Sequence, residues 1–170
     1  GVETSIDIPL SVGWNLVSIP FAPNSSSLAD VLSPIAGKHD VAYAYDAKDA
    51  SDPWKRYVPQ APAVLSDFGQ VDERQGWWVQ VAEPVTLTIS GTTVTTTKIP
   101  LVPGWNLVGY PRTWPQDIGE ALASIAGKYG CVYAYDATHP DDPWRVYDPQ
   151  NPSMPGSLTQ LEPGKGYWIY

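Results

Sequence analysis

The sequence holds very little of the chemistry on which disulfides, thiolate clusters and nucleophilic catalysis depend. Cys131 is the only cysteine in 170 residues, which excludes an internal disulfide and a thiolate metal cluster. His39 and His139 are the only histidines, and no Gly-x-Ser-x-Gly or His-x-x-Glu-His motif is present. A nucleophile needs an adjacent base, so these absences predict a protein without a catalytic residue set.

Charge is also scarce, and long apolar runs are missing. Charged residues make up 16% of the chain, and the net charge is −8; an average soluble domain has roughly 25% charged residues. An acidic surface repels a phosphate backbone, so we expect no nucleic-acid partner. No stretch approaches the ~18 consecutive apolar residues of a membrane-spanning helix, and the N-terminus lacks the pattern of a signal peptide.

Tryptophan and tyrosine, in contrast, are abundant. The chain has 8 Trp and 10 Tyr but only 2 Phe, so nearly every aromatic ring carries a polar N–H or O–H group. Hydrophobic residues reach 43%, which is enough to fill a core and argues against disorder. The function of these amphipathic rings is therefore the main question that the composition raises.

The chain repeats itself. Ile8–Pro20 reads IPLSVGWNLVSIP and recurs 91 residues later as IPLVPGWNLVGYP. Leu28–Ala47 aligns with Ile118–Ala137 at a shift of 90, with ten of twenty positions identical. The Asp-Pro-Trp turn that ends at Trp54 recurs as the turn that ends at Trp144. These matches predict two tandem repeats, residues 1–90 and 91–170.

Each repeat shows the signals of one short helix among strands. Ser27 is the predicted N-cap in the first repeat and Gly37 can close the helix, with Asp117 and Gly127 in the same places in the second repeat. The apolar stripe between these ends has four positions: Leu28, Val31, Leu32 and Ile35 in the first repeat, and Ile118, Ala121, Leu122 and Ile125 in the second. The remaining signals are those of strands and turns. We predict an α+β, mostly β fold, with each copy of about 90 residues forming a small antiparallel barrel- or sandwich-like unit with one short helix.

The segment that joins the repeats is predicted to be a hairpin. Val85–Ile89 and Thr92–Ile99 have strand propensity, and Ser90-Gly91 between them is typical of a turn. The second repeat has no counterpart of residues 82–90, so we expect it to be truncated at its C-terminus. It would then expose a strand edge unless residues 2–8 or another chain cover that edge.

A calcium site is the metal hypothesis that the sequence raises. Asp46, Asp49 and Asp52 lie in one loop of the first repeat at a spacing that could offer oxygen ligands. The second repeat offers Asp136, Asp141 and Asp142. The spacing is not that of an EF-hand, and turn formation is the favoured role of these residues. We therefore predict no metal ligand and no cofactor.

The aromatic residues are the candidate ligand-binding groups. The Trp pair 14/105 recurs in both repeats, and we expect these two rings to lie in the core. Alternation along the predicted strand Trp77–Val81 points Trp77 inward and Trp78 outward or toward a domain contact. Trp114 has no counterpart in the first repeat and lies in a loop. The predicted ligand-binding residues are Trp114, Trp54, Trp144, Trp78, Tyr57, Tyr147, Asp52 and Asp142.

These motifs carry a resemblance. GWNLVSIP, a following helix, YAYDA and the closing LEPGKGYWI at Leu161–Ile169 resemble tandem modules near the ends of large secreted or surface-anchored prokaryotic proteins. The first repeat departs from the closing motif, where Val71–Trp78 reads VDERQGWW. The resemblance covers nearly the whole chain. It implies an extracellular or cell-surface location and neighbouring domains of a longer polypeptide, and it supplies no catalytic residue.

Two functions remain open at this point. The first is a non-catalytic extracellular module that binds polysaccharide, because Trp and Tyr offer flat apolar faces to sugar rings and the Asp residues can bond to hydroxyls. The second is a structural or adhesive spacer repeat of a cell-surface protein, without a small ligand, in which the aromatics pack within and between repeats. An enzyme is a third and weaker hypothesis, since paired carboxylates such as those of Asp52 and Asp142 can hydrolyse glycosides.

Overall fold

The computed structural model describes all residues from Gly1 to Tyr170, and its regular secondary structure is mainly antiparallel β-sheet. Strands account for 37% of the residues and helices for 11%, which confirms the predicted α+β, mostly β class. No helix has both the length and the apolar character needed to cross a bilayer.

The chain forms thirteen strands and two short α-helices. The strands are β1 (Glu3–Leu10), β2 (Gly13–Ser18), β3 (Ala22–Pro23), β4 (His39–Tyr45), β5 (Trp54–Tyr57), β6 (Gly76–Val81), β7 (Val85–Thr92), β8 (Asn106–Val108), β9 (Gln116–Asp117), β10 (Val132–Tyr135), β11 (Trp144–Tyr147), β12 (Gln160–Leu161) and β13 (Tyr167–Ile169). The α-helices are α1 (Leu28–Leu32) and α2 (Ile118–Ala121), and single 3₁₀ turns cover Ser33–Ile35, Ala63–Leu65 and Ala123–Ile125.

The helices begin at the predicted caps. The Ser27 hydroxyl accepts a hydrogen bond from the backbone N–H of Asp30, and the Asp117 carboxylate accepts one from the N–H of Glu120. Each helix continues as a 3₁₀ turn and ends before a glycine with positive φ, 80° at Gly37 and 77° at Gly127. Local sequence therefore determines both helices, as predicted.

Two four-stranded antiparallel sheets carry the recurring segments. Their strand orders are β2-β6-β4-β5 and β8-β13-β10-β11, and each strand occupies the same place as its sequence counterpart. One face of each sheet packs on a core. Trp77 is fully buried in the first core, which confirms that it points inward. Its neighbour Trp78 lies on the opposite face.

A third sheet, β1-β7-β3, closes the core of the first repeat, and here the predicted hairpin is wrong. Residues 85–92 form the single strand β7, and the sheet does not continue through residues 93–99. β7 pairs with β1 along its whole length, so no turn forms at Ser90-Gly91. Gly91 allows β7 to pass the neighbouring β3, because a Cβ there would lie 2.1 Å from the Ala22 carbonyl oxygen.

This sheet also fixes where residues 1–10 belong. β1 pairs within the first repeat and does not cover the second, contrary to one of the two possibilities raised above. β7 extends to Thr92, two residues beyond the predicted boundary between the repeats. The first repeat has a core cluster of 18 buried residues, whereas the second has 8.

Reciprocal backbone contacts join the two repeats. The Ser18 N–H donates to the Gly164 carbonyl at 2.9 Å, and the Gly109 N–H donates to the Arg74 carbonyl at 3.0 Å. Isolated β-bridges join Val17 with Lys165 and Gln75 with Val108. In sequence, Ser18 corresponds to Gly109 and Arg74 to Gly164, so each contact occurs twice with the repeats exchanged. Such reciprocity is the pattern of a two-fold related interface within one chain.

Candidate aromatic binding face

Ten aromatic side chains lie together on the outer faces of the two four-stranded sheets, and we call this surface the aromatic face. They come from five corresponding positions in the two repeats: Trp14 and Trp105, Tyr43 and Tyr133, Tyr45 and Tyr135, Trp54 and Trp144, and Trp78 and Trp168. Each ring is within 6.4 Å of at least one other, centroid to centroid. The face is therefore continuous across both repeats.

Strand alternation explains why these rings share one side of each sheet. In the first sheet Trp78 of β6 is opposite Leu16 of β2 and Tyr43 of β4. Tyr45 is opposite Trp54 of β5. Cross-strand partners project to the same face, whereas their sequence neighbours project to the core.

The rings also cross the boundary between the repeats. Trp78 contacts Tyr135 at 4.9 Å and Trp144 at 6.0 Å. Reciprocally, Trp168 contacts Tyr45 at 5.1 Å and Trp54 at 5.9 Å. The Trp at this recurring position is thus inserted between a Tyr and a Trp of the other repeat. The domain contact predicted for Trp78 is present.

Two adjoining hollows in the aromatic face are lined only by aromatic rings. The larger has a volume of ≈ 430 Å³ and is lined by Tyr45, Trp54, Trp105, Tyr133, Trp144 and Trp168. The smaller has a volume of ≈ 360 Å³ and is lined by Trp14, Tyr43, Trp54, Trp78 and Tyr135. Trp54 belongs to both walls, so the two hollows adjoin and together cross the boundary between the repeats.

The walls of the hollows are set at steep angles to one another. Trp54 and Trp168 meet at 72°, and Trp78 and Trp144 meet at 73°. Trp54, Trp105 and Trp144 remain 45%, 40% and 44% exposed. The face therefore presents ring surfaces and ring edges to solvent in alternation, and it is not a flat platform. Exposed apolar patches of this kind on soluble proteins are typically binding surfaces.

Polar groups lie at the margin of the face. Asp52 and Asp142 are exposed and precede Trp54 and Trp144 by two residues. Lys55 Nζ donates to the backbone carbonyl of Asp52 at 2.8 Å, and the Arg145 guanidinium donates to that of Asp142 at 2.6 Å. These contacts hold the Asp-Pro-Trp turns, and the exposed carboxylates of Asp52 and Asp142 form long ion pairs of 3.8 Å and 3.9 Å with the same two cations.

Three predicted ligand-binding residues lie away from this face. Tyr57 and Tyr147 end β5 and β11 with their rings packed against the cores, because alternation puts them opposite the side of Trp54 and Trp144. Trp114 is 56% exposed and lies in its loop beneath the Arg112 guanidinium, whose carbon is 6.0 Å from the ring centroid. It is not within ring-contact distance of the aromatic face.

The structure corrects one expectation about the core. Trp14 and Trp105 do not fill the cores; they lie on the aromatic face, half-buried and exposed respectively. Recurrence of a Trp in both repeats predicts a core position, but the same recurrence is expected of a surface that both repeats build together. Trp105 is covered on one side by Tyr170 at 4.8 Å.

Seven rings of the face are absent from the predicted ligand-binding set: Trp14, Trp105, Trp168, Tyr43, Tyr45, Tyr133 and Tyr135. The signal that could have found the four tyrosines is the period-two pattern of YAY in β4 and β10, where small Ala residues face the core. Ala42 and Ala44 are buried, so each Tyr beside them must point outward.

Two aspartates of the calcium hypothesis are engaged with side chains of the chain itself. Asp49 forms a 2.8 Å ion pair with Lys55, and Asp136 bonds to Thr138 and His139. No group of three His, Cys, Asp or Glu residues is close enough to hold a metal ion. The favoured role of these residues in turn formation agrees with the Asx-type bonds from Lys48 and Thr138 N–H groups to Asp46 and Asp136.

Every carboxyl group whose pKa is shifted has a lowered pKa and is a stronger acid. The hydrogen bond from Lys55 lowers the pKa of Asp49, and the bond from the Thr138 hydroxyl lowers that of Asp136. The Lys165 hydrogen bond lowers the pKa of Glu162. Burial acts to raise the pKa of Asp72, but the Arg74 guanidinium outweighs it and the net shift is downward. In contrast, burial raises the pKa of the half-buried Cys131 thiol, which keeps it protonated.

Comparisons of the chain with models of known protein families, with curated proteins and with solved structures give no match.

Proposed function

We propose that this protein is a non-catalytic module that binds polysaccharide through the aromatic face. The observation that carries the proposal is the pair of adjoining hollows lined by nothing but Trp and Tyr rings, contributed by both repeats. The chain has a net charge of −8, yet Trp54, Trp105 and Trp144 on this apolar surface remain 40% to 45% exposed. The surface is therefore expected to have a ligand.

The chemistry of the face matches that of a sugar ring. The axial C–H groups of a pyranose form an apolar surface that stacks on Trp and Tyr, while its hydroxyls point outward in the ring plane. In the hollows the rings offer apolar contact, and Asp52 and Asp142 at the margin offer hydroxyl partners. Tyr hydroxyls and Trp N–H groups add further polar edges.

The ring angles favour a single polysaccharide chain over a flat crystalline surface. A crystalline surface needs coplanar rings in a row, but neighbouring rings of this face meet at angles of 42° to 89°. A single chain can place one sugar in each hollow, with Trp54 between them. We therefore favour a soluble or amorphous glycan as the ligand.

A non-catalytic role agrees with the direction in which the pKa values of the carboxyl groups are shifted. Glycoside hydrolysis requires a general acid whose pKa is raised. The shifted pKa values of Asp49, Asp72, Asp136 and Glu162 all move in the opposite direction. Asp52 and Asp142 are exposed at two separate turns.

The proposal includes an extracellular or cell-surface location and neighbouring domains of a longer polypeptide. Both rest on the resemblance of the GWNLVSIP and LEPGKGYWI motifs to modules of secreted and surface-anchored proteins. Polysaccharides are abundant ligands outside the cell, so the location and the ligand support each other.

A second function, a structural or adhesive spacer, is favoured by the ring contacts between the repeats. Trp78 and Trp168 each contact two rings of the other repeat. Edge-to-face pairs of this kind contribute about 0.5–1.5 kcal/mol each beyond burial. In a spacer these contacts alone would account for the aromatic composition, and no glycan would bind.

Affinity electrophoresis through gels that contain soluble glycans, with sedimentation on insoluble ones, tests the proposal. We expect retardation by at least one soluble polysaccharide, with a change in Trp emission on binding. The double variant Trp54→Ala, Trp144→Ala removes walls of both hollows and should weaken binding at least tenfold. Trp54→Tyr, which keeps a flat ring, should retain most of it.

Trp114→Ala is the matched control, because this exposed Trp lies outside the aromatic face. It should bind like the unmodified chain. Loss of binding in Trp114→Ala with retention in the double variant would move the site to the loop at 112–114. Absence of retardation on every glycan tested would leave the spacer function.

A further inference from the structure

The two hollows of the aromatic face are built from the same ring positions of the two repeats. Four rings of the first repeat and one of the second line the smaller hollow: Trp14, Tyr43, Trp54, Trp78 and Tyr135. The larger hollow is lined by the counterparts of all five: Trp105, Tyr133, Trp144, Trp168 and Tyr45. It has one further wall, the ring of Trp54. The two hollows are therefore two copies of one site.

The ring geometry repeats as closely as the composition does. Trp14 lies 6.4 Å from Trp78 at an angle of 89°, and Trp105 lies 6.1 Å from Trp168 at 84°. The two equivalent Trp–Trp contacts across the boundary between the repeats are 6.0 Å and 5.9 Å long, at 73° and 72°. Together with the reciprocal backbone contacts between the repeats, these values describe two hollows related by an approximate two-fold axis.

This two-fold axis reverses every direction within the aromatic face. Both hollows open on the same surface and share the wall at Trp54. A rotation that exchanges them keeps this surface facing outward only if its axis is perpendicular to the surface. A glycan chain has a direction, from its non-reducing end to its reducing end. A chain that crosses both hollows therefore meets the two equivalent sets of walls in opposite directions.

Equivalent hollows can hold parts of one directional chain only if each accepts a sugar ring in either direction. Polar groups in a site fix the direction of a sugar, whereas stacking on C–H groups does not depend on it. The walls of both hollows are aromatic rings only. A pyranose whose substituents are all equatorial has C–H groups on both faces, so it makes similar contacts after reversal. An axial hydroxyl would place a polar group against an aromatic wall.

Charge narrows the class of ligand further. No Lys, Arg or His side chain lines either hollow, and the net charge of the chain is −8. A uronic acid or a sulfated sugar would lose hydration in a hollow without meeting a cation there, which is costly. A neutral sugar avoids this cost. The aromatic face therefore favours an uncharged glycan.

We propose that the aromatic face binds a neutral, β-linked glycan of all-equatorial pyranoses, such as a β-glucan or a xylan, and accepts the chain in either direction. The linkage is equatorial because an axial glycosidic oxygen would interrupt the C–H surface of one ring face. This inference rests on the proposed function and specifies its ligand. One sugar occupies each hollow, and the two chain directions are similarly populated.

Two hexasaccharides that differ only in the configuration at C2 test the class of sugar. Cellohexaose is all-equatorial, whereas mannohexaose has an axial hydroxyl on every ring, and xylohexaose is a second all-equatorial ligand. In titrations followed by Trp emission, cellohexaose or xylohexaose should bind at least tenfold more tightly than mannohexaose. A cello-oligosaccharide oxidised to the carboxylate at C6 should also bind at least tenfold more weakly than cellohexaose.

The outcomes separate this inference from the proposed function. Equal or tighter binding of mannohexaose or of the oxidised ligand, lost in the Trp54→Ala, Trp144→Ala variant, would overturn the inference and leave the aromatic face as a glycan site. Retardation only by glycans with axial hydroxyls or charged groups would do the same. Absence of binding to every glycan would overturn both.

The chain direction is measured with cellohexaose, or xylohexaose if that binds more tightly, carrying a nitroxide at its reducing end. Trp14 lines only the smaller hollow and Trp105 only the larger, so their indole N–H signals in NMR spectra report the two hollows separately. Both signals should broaden, and moving the nitroxide to the non-reducing end should leave the pattern unchanged. The Trp114 signal, outside the aromatic face, is the reference. If the stronger broadening moves from one Trp signal to the other with the label, the chain binds in one direction and the inference is wrong.

Discussion

Gly76 and Gly166 face each other where the two repeats meet. A Cβ added to either glycine would lie 3.1 Å from the Cα of the other. The two glycines occupy the same position in the two repeats, directly before the recurring aromatic pair. Their contact is the closest approach expected at a two-fold axis, where a residue meets its own counterpart.

A methyl group at this contact is predicted to destabilise the protein. The Cβ of Gly76→Ala would lie 2.6 Å from the Val108 carbonyl oxygen, and that of Gly166→Ala 2.8 Å from the Val17 carbonyl oxygen. Backbone atoms cannot move aside as a flexible side chain can, so each substitution should cost about 1–3 kcal/mol in the free energy of unfolding. Urea denaturation monitored by Trp emission measures it.

Gly69→Ala is the control for this pair, because no atom lies within 4 Å of a Cβ at Gly69. Its free energy of unfolding should stay within about 0.5 kcal/mol of the unmodified chain. If Gly76→Ala and Gly166→Ala are as stable as Gly69→Ala, the close contact between the repeats does not exist in solution.

The rings inserted between the repeats are predicted to stabilise their association. Trp78→Ala removes contacts with Tyr135 and Trp144. It should lower the free energy of unfolding by about 1–3 kcal/mol, which is less than for a fully buried ring because Trp78 is half-buried. A double-mutant cycle of Trp78→Ala and Tyr135→Ala should give a coupling energy of about 0.5–1.5 kcal/mol. Chemical denaturation gives the free energies of unfolding of the unmodified chain, the two single variants and the double variant.

The same cycle on Trp78 and Trp114 serves as the reference, since Trp114 contacts no ring of the aromatic face. These two substitutions should be additive within about 0.5 kcal/mol. A coupling energy of zero for the Trp78 and Tyr135 pair would show that the repeats do not associate through this contact.

Local chemistry made the helices and most strands predictable. The caps at Ser27 and Asp117 and the alternation around Trp77 are read from neighbouring residues, and the structure agrees with them. The strand β7 was not predicted correctly, because its true partner β1 lies about 80 residues away in sequence and the Ser-Gly pair suggested a turn.

The aromatic face was predictable only in part. Alternation indicates that Trp78 and Trp54 leave the core, but it cannot show that the outer faces of two sheets meet. The assignment of Trp14 and Trp105 failed for this reason, since recurrence does not separate a shared core plan from a shared surface. Packing between the repeats is set by distant residues such as Ser18 and Lys165, whose hydroxyl and carbonyl groups bond at 2.6 Å.

The asparagine of each Gly-Trp-Asn motif is predicted to hold the turn before its strand. The Asn15 side chain accepts from the Ser11 N–H at 3.0 Å and donates to the Ser11 and Gly13 carbonyls. Asn106 makes the same three bonds with Val102 and Gly104. Asn106→Ala should lower the free energy of unfolding by about 1–3 kcal/mol, because the backbone groups of Val102 and Gly104 lose their hydrogen-bond partner.

The aspartate variant makes this prediction more specific. Asn106→Asp keeps the shape but cannot donate when ionised, so it should be less stable than Asn106→Ala at pH 7 and should recover part of the loss when protonated at acidic pH. Thermal unfolding between pH 3 and 7 measures both. Asn151→Asp, at an exposed position, is the control and should not show this recovery.

Tyr167 is predicted to reduce the stability of the protein in alkaline solution. Burial raises the pKa of Tyr167 well above its usual range. The unfolded chain releases the Tyr167 hydroxyl proton near pH 10, while the folded chain keeps it. The contribution of Tyr167 to the free energy of unfolding is therefore complete below about pH 10 and falls as pH rises further. The free energy of unfolding should then fall by up to about 1.4 kcal/mol per pH unit. Urea denaturation between pH 8 and 11.5 measures it.

Tyr167→Phe separates this effect from the titration of lysines and the other tyrosines. The Tyr167 oxygen accepts the Glu162 N–H at 2.8 Å, so the variant should be about 1 kcal/mol less stable near pH 7. It cannot ionise, and its stability should therefore fall less steeply above pH 10. Tyr170→Phe, at an exposed position, should keep the steep fall of the unmodified chain. If the free energies of unfolding of Tyr167→Phe and the unmodified chain fall in parallel above pH 10, Tyr167 ionises equally in the folded and unfolded states. That result would contradict the raised pKa expected from its burial.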